Sequence, residues 1–234
     1  MSTDLVGYTL EGTTAVVTMD DGKANALSYA MIDALLAALA RAEREASALV
    51  LTGRPERFCA GFDLKVMMAG PDAARQLLRR GSELLMKLYG TPIPLVVACT
   101  GHAIAGGALV VLTGDVRLGA AGAFRIGLNE VSIGLPVPML AMELARDRLA
   151  TAALPRATLG AQMYAPDEAA AAGYLDAVAP AEELAARAVQ EAARLGALSR
   201  NAYRATKERL RGATIARITG GLDDDMARLL APPA

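Results

Sequence analysis

The sequence is poor in the residues that several common kinds of functional site require. It has a single histidine, His102, so a metal centre built from several histidines is excluded. Its two cysteines, Cys59 and Cys99, lack the CxxC spacing of redox and zinc motifs. We expect both thiols to pack as small apolar groups in a reducing compartment, and we expect no metal.

An excess of positive charge and long apolar runs are also missing. The formal net charge of −1 gives no general field that would attract nucleic acid, so we expect no such partner. The longest apolar run, residues 103–113, is far shorter than the roughly 20 residues that span a bilayer. Residues 1–4 do not begin a secretory signal. These features predict a cytoplasmic protein without a membrane partner.

What is present is the composition of a globular protein. Hydrophobic residues make up 53% of the chain and charged residues 21%, which is a balance that can build a core. Residues 13–19 form a β-rich run that ends at the turn residues 20–22. Ser28 is a plausible N-cap for an amphipathic helix that ends near Glu45, and a second strand follows at residues 48–53. A strand, a helix and a strand in this order predict a right-handed crossover.

The same pattern repeats and then changes to helices alone. The later predicted elements are a loop at 53–61, a helix at 72–88, a strand at 95–99, a helix opening at Gly106, strands at 116–118 and 124–126, and helices at 182–195, 200–210 and 215–230. The sequence therefore predicts an α/β core over residues 1–180 and a helical C-terminal region over residues 181–234.

Two glycine-containing turns each follow an apolar strand, at residues 58–64 and 101–107. Small residues let a ligand approach the main chain, and a helix that begins at such a turn presents unpaired N–H groups with partial positive charge. Two such groups could converge on one oxygen and form an oxyanion hole. The alternative is that the glycines only permit tight turns. The second turn contains His102, which has no GxSxG serine to activate and can equally be a packed or surface imidazole.

One carboxylate lies in an apolar setting. Glu130 is surrounded by glycines and aliphatic residues in the segment 126–134. Burial disfavours the charged form of a carboxyl group, so Glu130 is a candidate base with a raised pKa. The alternative is an exposed glutamate near the start of a helix.

Taken together, these segments resemble the crotonase superfamily, also called the enoyl-CoA hydratase/isomerase family. The resemblance rests on the sequences NAL at 25–27, FCAGFDL at 58–64, the glycine-rich segment 101–115 and IGLNE at 126–130. It implies a spiral of ββα units with a helical C-terminal region, and an assembly of trimers or of paired trimers.

The resemblance also implies roles for particular residues. The backbone N–H groups of Ala60 and Gly106 would form the oxyanion hole, and Glu130 would move protons. Contacts with the acyl-CoA substrate are implied for Lys23, Ala24, Gly61, Phe62, Asp63, Leu64 and Leu109. Coenzyme A would be the thioester carrier of the substrate, with no other cofactor. Phe62 stands where the family more often has alanine, so the acyl pocket could be narrowed.

The activity that the resemblance implies depends on Leu109. Hydratases of the family carry a glutamate there, three residues after the oxyanion-hole glycine, and a second one near the position of Glu130. Leucine at 109 instead resembles the mitochondrial-type Δ3,Δ2-enoyl-CoA isomerases, which shift the double bond of a 3-enoyl-CoA with one glutamate. The alternatives are a hydratase or another crotonase activity, and a noncatalytic acyl-CoA-binding protein.

Overall fold

The computed structural model describes residues 5–230. The outermost residues of both predicted regions, 1–4 and 231–234, lie outside this range. The strands are β1 Val6–Glu11, β2 Thr14–Met19, β3 Ala48–Gly53, β4 Glu56–Cys59, β5 Leu95–Cys99, β6 Gly101–Ile104, β7 Val116–Ala120, β8 Ile126–Gly127 and β9 Ala177–Ala179. The helices are α1 Tyr29–Glu45, α2 Leu64–Met67, α3 Pro71–Gly90, α4 Gly106–Thr113, α5 Met139–Arg148, α6 Leu154–Ala157, α7 Pro166–Ala172, α8 Ala181–Gly196 and α9 Arg200–Leu229.

The strands form two sheets through which the chain spirals. The larger sheet has the order β1-β2-β3-β5-β7-β9, and all of its neighbouring strands are parallel except β1 and β2. The smaller sheet is parallel, with the order β4-β6-β8. From β3 onwards, each turn of the spiral gives one strand to the larger sheet, the next strand to the smaller sheet, and then a helix. This repetition places the ends of β4, β6 and β8 side by side.

The helices cover the larger sheet on both sides. Ser28 caps α1 as predicted, because its side chain accepts a hydrogen bond from the N–H of Met31. The buried face of α1 carries Met31, Ile32 and Leu35, which join the main core with α3 and α4. On the opposite side, α8 packs its alanine-rich face against β2, β3, β5 and β7. None of the helices within residues 5–230 is both long and apolar enough to cross a membrane.

Several predicted elements need correction. The predicted loop at 53–61 contains β4, and the glycine turn at 101–107 contains β6. Both strands are four residues long, and their exposed or half-exposed Arg57 and His102 interrupt the apolar pattern that reveals a longer strand. The strand predicted at 124–126 is displaced to Ile126–Gly127, and β1 and the helices between residues 139 and 172 have no counterpart in the prediction.

The C-terminal helix is continuous where two helices are predicted. Arg200–Leu229 is a single helix of 30 residues, and Gly212 lies within it. Glycine costs roughly 1 kcal/mol in a helix interior, but tertiary contacts can offset that cost. Here the neighbouring Arg211 is buried and donates hydrogen bonds to the carbonyl oxygens of Tyr89 and Thr113, which anchors the middle of α9.

Candidate active site

The two glycine turns meet in the folded chain. A Cβ atom at Gly61 would lie 2.9 Å from the carbonyl oxygen of Ile104 and 3.3 Å from the backbone nitrogen of Gly106. Gly61 also has φ +94°, which disfavours any residue with a side chain. A Cβ atom at Gly106 would lie 3.3 Å from the Cα atom of Gly61. The glycines therefore do more than permit tight turns, because they let two backbone segments touch.

Gly106 supplies one of the two expected backbone donors. It is the first residue of α4, after Ala105 at the N-cap with φ 50°. The first N–H groups of a helix have no partner within the helix, and they carry its partial positive charge. Nothing in residues 5–230 accepts a hydrogen bond from the N–H of Gly106. This donor is therefore free to bind a ligand oxygen.

The expectation for Ala60 is wrong, because its N–H is already used. It donates to the carbonyl oxygen of Ala24 at 3.0 Å. The N–H of Phe62, two residues on, has no acceptor in the part of the chain that the structure describes. Leu27 donates to the carbonyl of Gly61 at 2.8 Å and accepts from the N–H of Asp63 at 3.3 Å. Since successive N–H groups along a strand-like segment point to opposite sides and that of Asp63 points to Leu27, the N–H of Phe62 points away from Leu27.

A buried asparagine holds the loop that supports this donor. Asn25 is fully buried, with φ 52°. Its side-chain amide donates to the carbonyl oxygens of Met19, Arg57 and Phe58 at 3.0 to 3.1 Å, and its Oδ1 accepts from the N–H of Asp21. These bonds join the loop after β2 to the end of β4. Sequence reasoning missed this role, although an asparagine between apolar residues was a signal that it had to be hydrogen-bonded.

Glu130 is the buried carboxylate that the sequence predicts. It is 9% exposed, and its Oε2 atom has no hydrogen-bond partner within residues 5–230. Burial raises the pKa of Glu130 above its ordinary value of 4.5. The exposed alternative is thereby excluded. The N–H of Ala105 donates to the carbonyl of Gly127 at 3.0 Å, so the segment that carries Glu130 runs beside the start of α4.

A small apolar cavity is lined by the turn that carries Phe62 and by several helices. Its volume is about 30 Å³, and its wall includes Phe62 and Leu109. Leu109 lies one helical turn after Gly106 and is 4% exposed. The rest of the wall comes from α3, from the start of α5 and from the last turns of α9. The Leu109 side chain itself offers a water molecule no hydrogen-bond partner.

The remaining predicted contact residues lie around the same turn. Lys23 and Leu64 are exposed. Ala24 is half-buried, and its carbonyl oxygen accepts the hydrogen bond from the N–H of Ala60. The carboxylate of Asp63 accepts a hydrogen bond from the N–H of Lys65 and so caps α2. This cap fixes the direction in which the chain leaves Phe62. Contacts of these residues with coenzyme A stay predictions.

The single histidine is held by local contacts, and both cysteines are buried. His102 accepts a hydrogen bond from the N–H of Arg125 through Nδ1, and its ring meets the ring of Phe124 edge to face at 5.6 Å. Burial raises the pKa of Cys59 and that of Cys99 to about 12, so both thiols stay protonated at neutral pH. Among residues 5–230 there is no group of three or more potential metal ligands.

Comparison with known proteins identifies the family. The profile described as enoyl-CoA hydratase/isomerase matches residues 9–227. Human mitochondrial enoyl-CoA delta isomerase 1 is 31% identical over 222 residues, which are 93% of this chain and 74% of the human protein.

Solved structures agree on the fold. A structure described as an enoyl-CoA hydratase/isomerase family protein from Pseudomonas syringae is 41% identical with a TM-score of 0.94, covering 97% of this chain and 99% of that one. A Mycobacterium tuberculosis protein is 42% identical with a TM-score of 0.91, covering 96% and 98%. That protein is described as an enoyl-CoA isomerase in one structure and as a probable enoyl-CoA hydratase in another. The matched profile and these relatives, together with the two sheets and the long final helix, show that this chain belongs to the enoyl-CoA hydratase/isomerase family, the crotonase superfamily.

Proposed function

We propose that this enzyme isomerises 3-enoyl-CoA thioesters to 2-enoyl-CoA thioesters. The thioester oxygen would accept hydrogen bonds from the N–H groups of Phe62 and Gly106. Glu130 would remove a proton from C2, and the electron pair would delocalise through the C3–C4 double bond and the thioester carbonyl. The same carboxyl group would return the proton at C4, which leaves the double bond between C2 and C3. No atom is gained or lost, and no other reactant is needed.

The observation that carries the proposal is the contrast between Glu130 and Leu109. Glu130 is buried, and its Oε2 has no hydrogen-bond partner within residues 5–230; burial raises its pKa, which is the direction that a general base requires. Hydration asks for a second group that positions and activates water. Leu109 presents a buried aliphatic surface at that place, and a water molecule there would lose hydrogen bonds. The geometry therefore favours double-bond migration over addition of water.

The free donors supply the second half of the mechanism. Loss of a proton from C2 places negative charge on the thioester oxygen. Two backbone N–H groups held by the fold would stabilise that charge without reorganising, and one such donor is typically worth about 3 to 4 kcal/mol in the transition state. A protein that only binds acyl-CoA gains nothing from a base whose ionisation is opposed by burial, which is why we disfavour the noncatalytic alternative.

Coenzyme A and a second subunit complete the proposal. Lys23 and the turn at 60–64 would contact the coenzyme A part of the substrate. Next to Glu130, the side chains of Val131, Ile133 and Leu135 are 43 to 56% exposed, which is an apolar surface that a neighbouring subunit would cover. This surface supports the trimer or pair of trimers that the family resemblance implies. The division into a core to residue 180 and a helical region from residue 181 remains part of the proposal.

The test is a paired assay on the purified protein. 3-Hexenoyl-CoA reports isomerisation as an increase in conjugated enoyl absorbance, and crotonyl-CoA reports hydration as a loss of that absorbance. We expect turnover of the first substrate and at least tenfold slower turnover of the second. Rapid hydration without isomerisation would contradict the proposal. Tight binding of acyl-CoA with neither reaction would support the noncatalytic alternative.

A further inference from the structure

The ring of Phe62 occupies a notch between two helices. A Cβ atom at Gly81 in α3 would overlap the Cε1 and Cζ edge of this ring. On the opposite edge, a Cβ atom at Gly106 would lie 3.1 Å from Cδ2. Glycine in the interior of a helix costs roughly 1 kcal/mol relative to alanine, so Gly81 needs a reason. In this structure, the absence of a side chain at Gly81 leaves the space that the Phe62 ring occupies.

This ring also forms part of the cavity wall. Phe62 and Leu109 line the cavity together with residues of α3, α5 and α9. Its volume of about 30 Å³ gives room for roughly two water-sized groups. An acyl chain whose thioester oxygen binds the N–H groups of Phe62 and Gly106 would send its tail into this space.

The last turns of α9 form one wall of the cavity, and they are fixed to the rest of the fold. Leu222, Met226 and Leu229 form that wall, and Met226 is 4% exposed. Asp225 accepts a hydrogen bond from the N–H of Met139 at 2.7 Å, which fixes α9 to the start of α5. Asp223 pairs with Arg79 of α3 at 2.5 Å on the surface.

We infer that Phe62 sets an upper limit on acyl length, so that this enzyme takes short-chain substrates of about six carbons. The count follows from the cavity: C1 to C4 react between the donors and Glu130, and space for roughly two further carbons remains beyond them. The inference rests on the proposed function for the reaction. The limit itself is a property of binding and can be measured without turnover.

The experiment compares kcat/KM for acyl-CoA substrates of different chain length in wild type and in two variants that change the Phe62 ring or its surroundings. For wild type, we expect kcat/KM to fall at least tenfold from 3-hexenoyl-CoA to 3-dodecenoyl-CoA, because misfit in an apolar pocket is costly. Phe62→Ala keeps the backbone donor but removes the ring, and it should lower the preference for the short substrate at least tenfold. In Gly81→Ala the added methyl group would overlap the ring, so the ring has to move from its position against α3, and we expect the chain-length preference to change.

Two further measurements keep the inference testable. Phe124→Ala is the matched control, because it also removes a phenylalanine ring, but one that packs against His102 and does not line the cavity. We expect this variant to keep the wild-type dependence on chain length. Dissociation constants of hexanoyl-CoA and dodecanoyl-CoA test the length limit even if no isomerisation is found, so the two proposals can fail separately. If Phe62→Ala does not fold, Phe62→Leu and Gly81→Ala give the same comparison. Equal use and equal binding of both lengths by wild type, or a Phe62 variant with an unchanged profile, would overturn the inference.

Discussion

Two buried carboxylates of this enzyme have opposite surroundings. Asp115, which follows α4, accepts hydrogen bonds from Lys207 at 2.6 Å and from the N–H of Leu95 at 2.8 Å. Arg211 pairs with its other oxygen at 3.0 Å. Glu130 is comparably buried, but its Oε2 has no partner in the described chain, and burial raises its pKa.

The difference separates a structural charge from a chemical one. Burying an ion costs several kcal/mol unless partners and hydrogen bonds compensate it. Asp115 has such partners on α9, so its charge holds the C-terminal helix on the core. The Oε2 atom of Glu130 has no such partner in the described chain. The Glu130 carboxyl group is therefore costly to ionise, which makes its carboxylate a stronger base. Substitutions at the two positions should accordingly affect different quantities.

The largest expected effect is the loss of activity in Glu130→Gln. The amide keeps the shape of the side chain but cannot accept and return a proton. We expect the isomerisation rate to fall about 10² to 10⁴-fold, the usual contribution of a general base, while urea unfolding shows no loss of stability. Glu182→Gln, an exposed residue at the start of α8, is the control and should keep full activity. Full isomerase activity in Glu130→Gln would remove Glu130 from its proposed role.

The next effect is the loss of stability in Asp115→Asn. Lys207 and Arg211 would then lie buried without a counter-charge, and breaking such a cluster typically costs about 3 to 5 kcal/mol. Urea unfolding would measure this loss, and activity per folded molecule should change far less than in Glu130→Gln. The exposed Asp224→Asn serves as the control, expected within about 0.5 kcal/mol of wild type. An equally stable Asp115→Asn would show that the cluster does not hold α9.

Asn25→Asp should lower both activity and stability, each by less than the two preceding variants. A carboxylate cannot donate to the carbonyl oxygens of Arg57 and Phe58, and unsatisfied buried groups cost about 1 to 3 kcal/mol. Because these bonds hold the turn that carries the Phe62 donor, kcat should fall as well as stability. Asn201→Asp, exposed at the start of α9, should change neither property. A variant with lowered stability and normal kcat would mean that Asn25 only supports the fold.

The smallest expected effect concerns the dependence of stability on pH. Above pH 4.5 and below the raised pKa of Glu130, the folded protein binds more protons at this site than the unfolded chain does. The contribution of Glu130 to the free energy of unfolding therefore falls as pH rises through that window. Glu130→Gln lacks this contribution. Its stability relative to wild type should increase from pH 4 upwards and level off above the pKa of Glu130, as followed by urea unfolding.

The sequence predicts the larger elements and misses the small ones. The helices α1 and α3 and the strands β2, β3, β5 and β7 have periodic or apolar runs, and they are found close to where they are predicted. The strands β4 and β6 are too short to show a period, and β8 has two residues. The continuity of α9 depends on the buried contacts of Arg211, which no local pattern around Gly212 reveals.

The same distinction applies to the site. The approach of two glycine turns and the burial of Glu130 follow from residue types, and the structure confirms both. Residue types do not show which N–H group stays free. The N–H of Ala60 donates a hydrogen bond to the carbonyl of Ala24, and this bond forms only when the loop after β2 packs against β4. The seat of Phe62 against Gly81 joins residues 19 positions apart and likewise requires the fold.

The most direct test of the central contrast is a titration of the Glu130 carboxyl group itself. Infrared difference spectra between wild type and Glu130→Gln, recorded over a pH series without ligand, isolate the C=O band of its protonated form. We predict that this band persists above pH 4.5, because burial disfavours the charged form. A band lost at or below pH 4.5 would show a solvated or paired carboxylate and would contradict the account.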